Sequence, residues 1–77
     1  MSKSASKIGR CLLPELLRDK GMTQVQLADR IGRPRQQITN YVIGERRMSL
    51  ELARTIAQTL GCHIDDLYEW YDDKGSK

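Results

Sequence analysis

Phenylalanine is absent from this chain of 77 residues, and aromatic residues of every kind make up only 5% of it. Any core must therefore be aliphatic. Histidine occurs once and cysteine twice. Cys11 and Cys62 are far apart, with no CxxC spacing. His63 stands beside Cys62, but adjacent side chains on a helix point apart, and no further His or Cys completes a zinc site. Cys62 reads instead as a small core hydrophobe, and no metal is expected. A lone His cannot form a triad with an identifiable Ser or Cys nucleophile, there is no glycine-rich phosphate loop, and the acids near the C-terminus are not paired across a pocket. Catalysis and a bound cofactor are accordingly not expected. No apolar run approaches the roughly 18 residues needed to cross a membrane, and no signal-peptide core precedes the first cysteine. The expectation is a cytoplasmic protein with reduced thiols.

What is present suits one small globular domain. Hydrophobic residues make up 39% and charged residues 30%, and a chain of this length buries roughly 60% of its unfolded surface. The net charge of +3 is unevenly spread. Residues 1–47 carry ten Lys/Arg and four acids, a balance of +6, whereas residues 48–77 carry three and six, a balance of −3. A basic half beside an acidic half suggests a polyanion partner on one face, although mild basicity also serves solubility.

The glycines punctuate the chain. Gly21, Gly32, Gly44 and Gly61 each follow a helix-like pattern, as a residue closing a helix in the left-handed region does. In CLLPELLRDKG, Leu13, Leu16 and Leu17 share a face. Pro14 must lie in the first turn, so this helix starts no earlier than about Arg10. In TQVQLADRIG, Thr23 caps the helix and Gln26 completes a capping box, with Leu27, Ala28 and Ile31 facing inward. Ser49 caps LELARTIAQTL, where Leu52, Ala53, Ile56, Ala57 and Leu60 face inward. HIDDLYEWYDD begins with acids that suit a helix dipole, with Ile64, Leu67, Tyr68 and Tyr71 on its apolar face. Strand alternation is not evident over a useful length. The expectation is an all-α, compact five-helix bundle over residues 10–71. Residues 1–9 form a flexible basic tail and 72–77 a second tail.

Between Gly32 and Gly44 lies RPRQQITNYVI. Two short helices, at roughly 23–31 and 34–43, joined by a tight turn at Gly32, make a helix-turn-helix. Ala28 lets the second helix cross close over the first. Wound at about 100° per residue, Gln36, Thr39, Asn40 and Ile43 fall on one side, with Ile38, Tyr41 and Val42 on the other. Gln and Asn can pair bidentately with adenine and Arg35 with guanine, each worth roughly 1–3 kcal/mol of discrimination. Ile43 is apolar among these amides. Its expected place is beneath the loop at Gly44, the alternative being a thymine methyl.

The stretch MTQVQLADRIGRPRQQITNYVIGERRMSLELARTIAQTLGCHIDDL resembles the lambda-repressor-like family of phage repressors and Cro proteins, also called the xenobiotic-response-element family. The likeness runs from Leu13 to Leu67, and TQxxLAxxxG followed by IxxxxxG carries most of it. It implies sequence-specific binding to double-stranded DNA by a transcriptional regulator, of phage or prophage repressor type, acting on a palindromic operator. It implies that Gln24 binds a phosphate and braces the third helix, and that Arg35, Gln36, Gln37 and Asn40 reach bases or neighbouring phosphates; Thr39, on the same side of the helix as Gln36 and Asn40, is expected to read bases with them. It further implies that Arg46 and Arg47 follow the backbone. Arg33, where the family usually has an apolar residue, adds a candidate phosphate contact. Pro34 replaces the usual capping Ser or Thr, so a cap side chain is lost. Leu17 and Val42 stand where many members carry an Arg–Glu pair, and are expected to touch. The fifth helix commonly forms a twofold contact in the family. With an exposed Trp beside it, Ile64, Leu67, Tyr68 and Trp70 are expected to form a homodimer interface. The competing expectation is a protein-interaction module of the same fold, an antitoxin or antirepressor partner.

Overall fold

The computed structural model describes residues 6–72. In chain order the elements are strand β1 (Ser6–Cys11), helices α1 (Leu13–Lys20), α2 (Gln24–Ile31), α3 (Arg35–Val42) and α4 (Leu50–Leu60), a 3-10 turn (Ile64–Leu67) and strand β2 (Tyr68–Asp72). The two strands form one antiparallel ribbon in which Ile8 pairs with Trp70 and Cys11 with Tyr68. The register slips between Ile8 and Cys11, so Gly9 and Arg10 face the single residue Glu69 as a bulge.

The helices begin and end as local chemistry dictates. Pro14 lies in the first turn of α1. The capping box of α2 is complete: Gln26 N donates to Thr23 Oγ1 at 3.1 Å, and Thr23 N donates to Gln26 Oε1 at 2.9 Å. Ser49 Oγ accepts from Leu52 N at 3.1 Å at the start of α4. Pro34 provides no side-chain cap for α3. Gly32 (φ 70°) closes α2 and turns the chain toward α3, a conformation that costs a residue with a Cβ.

The core is aliphatic apart from two tyrosines and a cysteine. Leu13, Leu27, Ile38, Ile56 and Leu67 are fully buried, and Leu17, Ala28, Tyr41, Leu52, Ala53, Ala57, Leu60, Cys11 and Tyr68 complete it. Leu16, Ile31, Val42 and Cys62 pack against its edge. Leu17 and Val42 thus belong to the same apolar cluster. No charged or polar side chain is buried among the described residues. Burial holds the Cys11 thiol above its ordinary pKa, so it stays protonated at neutral pH.

Three expectations change here. The C-terminal segment is not a fifth helix. Its 3-10 turn ends at Leu67 and the chain straightens into β2. Tyr68 and Tyr71 would share a face at helical spacing, but three positions along a strand is an odd step, which puts them on opposite faces. Tyr68 is accordingly 8% exposed and Tyr71 56%. The tail expected over residues 1–9 covers four residues, 6–9, that lie in β1; its first five residues, and 73–77 of the second tail, lie outside the described residues. The third change is at Ile43, which does not tuck under the Gly44 loop. It is the C-terminal capping residue of α3 and 62% exposed.

The ribbon is fastened to the helices by backbone and phenol. Leu12 N donates to Leu67 O at 2.8 Å. Met48 N donates to Tyr68 Oη at 3.1 Å, which ties β2 to the segment between α3 and α4. Tyr68→Phe leaves that N–H without its partner. We expect a loss of about 1 kcal/mol, read as a lower urea midpoint at unchanged m-value; an unchanged midpoint would show the bond to be energetically idle.

Candidate nucleic-acid interface

α2 packs on both α3 and α4, which leaves the polar side of α3 facing outward. Ile38 and Tyr41 anchor the inner side in the core. On the outer side Arg35 and Gln36 are exposed, and Thr39 and Asn40 are half-buried. Gln36 Nε2 donates to Asn40 Oδ1 at 3.0 Å, as side chains four apart on one helix face can. This bond leaves Gln36 Oε1 as a free acceptor and the Asn40 amide N–H groups as donors. The two amides therefore present one donor–acceptor edge.

The remaining members of the expected reading set are placed differently. Thr39 Oγ1 donates to Gln24 Oε1 at 3.0 Å. This bond joins α2 to α3 and is a brace between the two helices. Gln37 Nε2 donates to Tyr41 Oη at 2.7 Å, on the flank of the helix that turns toward the core. The geometry thus brings Arg35, Gln36 and Asn40 together on the open face, with Thr39 bracing α3 against α2 and Gln37 bonded within α3 to Tyr41.

Cations frame this face. Arg33 in the turn before α3, and Arg46 and Arg47 after it, are all exposed. Among the described residues none of the three makes an ion pair. The segment carrying Arg46 and Arg47 is shaped by bonds from Glu45 N and Arg46 N to Asn40 O, at 2.9 and 3.3 Å. Of the four residues expected at a dimer contact, Leu67 and Tyr68 are taken up by the chain's own core. Ile64 is partly buried at its edge, and Trp70 is 45% exposed, its indole Nε1 donating to Asp65 O at 2.9 Å.

A second polar cluster, on the outer face of the ribbon, was not legible in the sequence. Arg10 Nη1 bonds Glu15 Oε2 at 2.8 Å, and Arg10 Nη2 lies 3.7 Å from Glu69 Oε2. Tyr71 Oη donates to Glu69 Oε1 at 2.7 Å. Gly9 lies under the Tyr71 ring, which a Cβ at that position would strike. The bond from Arg10 holds the Glu15 carboxyl below its usual range, and the bond to Glu69 raises the Tyr71 phenol. The available signal was the alternation in YEWYD, with aromatics favouring a strand. Its partner lies at the other end of the chain.

Two short helices crossing at a glycine turn, with the second exposing an amide edge between arginines, define a helix-turn-helix DNA-binding domain. The profile of the Cro/C1-type HTH DNA-binding domain matches residues 13–73, and the chain belongs to that family of DNA-binding transcriptional regulators. It is 40% identical over 65 residues to the SPbeta prophage-derived HTH-type transcriptional regulator YopS of Bacillus subtilis, covering 83% of this chain and 88% of that one. It is 41% identical over 69 residues to an HTH-type transcriptional regulator of Methanothermobacter thermautotrophicus, covering 88% and 99%. A second SPbeta prophage-derived regulator, YotL, is 34% identical over 59 residues, covering 75% and 74%. Among the described residues no helix is long and apolar enough to cross a membrane.

Proposed function

We propose that this chain is a prophage-type repressor that occupies a palindromic operator as a homodimer, with α3 in the major groove. The observation that carries this reading is the exposed Gln36–Asn40 amide edge on α3, framed by arginines that make no ion pair among the described residues. Arg35, Gln36 and Asn40 read bases directly. Gln37 and Thr39 take part at the margins of that surface, and the Thr39–Gln24 bond fixes the angle of α3. Gln24, Arg33, Arg46 and Arg47 meet phosphates and set the register. The dimer forms through the surface around Ile64 and Trp70, with Leu67 and Tyr68 supporting it from the core side. Two relatives are named as prophage-derived regulators, which supports the phage-type assignment. Repression then follows from occupancy of the operator.

In vitro selection of bound duplexes at defined salt tests the whole reading. The expected product is a palindrome whose half-sites lie about 10 base pairs, one DNA turn, apart. Sedimentation at about 100 μM should show a dimer, since a twofold operator mirrors a twofold protein. A pool without enrichment, with equal affinity for all duplexes, would instead favour a protein-interaction module of the same fold. A monomer with an asymmetric consensus would overturn the dimeric part alone.

A further inference from the structure

Val25, Ile43 and Leu50 are exposed apolar side chains on the helical part of the molecule. Single exposed hydrophobics are ordinary, and Val25 and Leu50 belong to α2 and α4. Ile43 differs in its direction. Its backbone keeps helical geometry, with φ −86° and ψ −1°, and its N–H donates to Thr39 O at 3.0 Å. The phase of α3 therefore runs on through Ile43. At about 100° per residue, Ile43 projects about 20° from the direction of Gln36 and about 60° from that of Asn40. Only at Gly44, with φ 86°, does the chain turn away. Resting on the DNA-binding reading above, we propose that Ile43 is a further specificity-determining residue, whose side chain packs on the C5-methyl group of a thymine in the major groove.

The reach fits this contact. α3 has eight residues, which makes it about 12 Å long, comparable with the roughly 12 Å width of the major groove. A helix this short keeps its last turn at the bases or the groove wall. Ile43 lies about 10 Å along the axis from Gln36, about three base-pair steps of roughly 3.4 Å. It meets a base pair beyond those that the Gln36–Asn40 edge can span.

The chemistry narrows the occupant. The thymine methyl is the apolar group that base pairs present in the major groove. Against the polar base edges Ile43 would strip water from donors and acceptors that it cannot bond, which costs free energy. To a phosphate it offers neither charge nor donor. Ile43 is 62% exposed, so it has apolar surface to bury, and burying that surface against a methyl group leaves no polar partner unsatisfied. Gln36 and Asn40 select by hydrogen bonds, whereas Ile43 adds a preference for thymine over cytosine by apolar contact.

The test uses the full chain and the duplex obtained by selection. Each thymine of one half-site is replaced in turn by deoxyuridine, which removes the methyl group and keeps the base pair. Fluorescence anisotropy at one salt concentration gives the affinity of the wild type and of Ile43→Ala for each duplex. The wild type should lose about fourfold at one thymine, the worth of roughly one buried CH₂ group. Ile43→Ala should bind the parent duplex more weakly and lose nothing further at that same thymine, since the two changes remove one contact. Its affinity for a scrambled duplex should not move. Ile43→Val keeps a branched apolar side chain and should keep most of the sensitivity to the methyl group. Thermal unfolding verifies that both variants fold, and the wild-type deoxyuridine series is informative without either. Equal losses in the wild type and folded Ile43→Ala at every thymine overturn the assignment, as does a selected half-site without thymine. A shift of Ile43→Ala from dimer to monomer in sedimentation overturns it too, by placing Ile43 between copies of the chain. Failure of the wild type to enrich any duplex refutes the underlying DNA-binding reading, a result distinct from all of these.

Discussion

Asn40→Ala should erase most of the sequence preference of this protein while leaving its non-specific DNA binding intact. Asn40 and Gln36 form a single hydrogen-bonded edge on the open side of α3. Removing either amide deletes half of that edge and frees the other to adopt rotamers that no longer match a base. A good bidentate contact is worth roughly 1–3 kcal/mol of discrimination, so the ratio of specific to non-specific affinity should fall about tenfold to a hundredfold. Non-specific binding comes from phosphates and should not move. Because the two amides share one bond, Gln36→Ala should cost nearly as much as Asn40→Ala. The double variant should cost much less than the two together, since contacting residues are not additive. Affinities for the selected operator and a scrambled duplex, at one salt concentration, provide the measurement. An unchanged ratio in Asn40→Ala would remove the amide edge from the recognition surface.

Leu27→Ala should bring the domain close to unfolding. Leu27 is fully buried in α2, the helix that packs on both α3 and α4. Truncating a buried leucine costs about 2–5 kcal/mol, the transfer term plus the residual cavity. A domain of this length has a total stability of only about 4–12 kcal/mol. The neighbouring Ala28 is also small and buried, so it cannot fill the space. Urea unfolding followed by circular dichroism should show the midpoint falling by a third or more. DNA binding should fail in step with the folded fraction, because the angle of α3 is set by α2. A loss below about 1 kcal/mol would mean that the helices collapse around the gap.

The helical part of the fold was legible because its signals are local. The Thr23–Gln26 capping box, the Ser49 cap, Pro14 in a first turn and the glycines at 21, 32 and 61 act within one turn of the chain, and each appears where the residue types require it. The inward faces of α2 and α4 also follow from spacing alone. The C-terminal segment misled because Ile64, Leu67, Tyr68 and Tyr71 satisfy a helical period while YEWYD satisfies a strand period. Short apolar patterns of this kind do not discriminate between the two. The deciding partner, β1, is distant: the bond from Arg10 N to Glu69 Oε1 joins residues 59 positions apart.

The sequence by itself determined the helix-turn-helix, its family, the aliphatic core and the outward polar face of α3, because each rests on interactions a few residues long. Only the tertiary structure decided how those polar groups are divided. It engages Thr39 of α3 with Gln24 of α2 and leaves Ile43 in the open. It also draws Leu67 and Tyr68 into the core and joins Arg10 of β1 to Glu15 of α1 and Glu69 of β2. Such outcomes depend on the distance and angle between elements remote in sequence, and these are set by packing of the whole core rather than by the periodicity of any one segment.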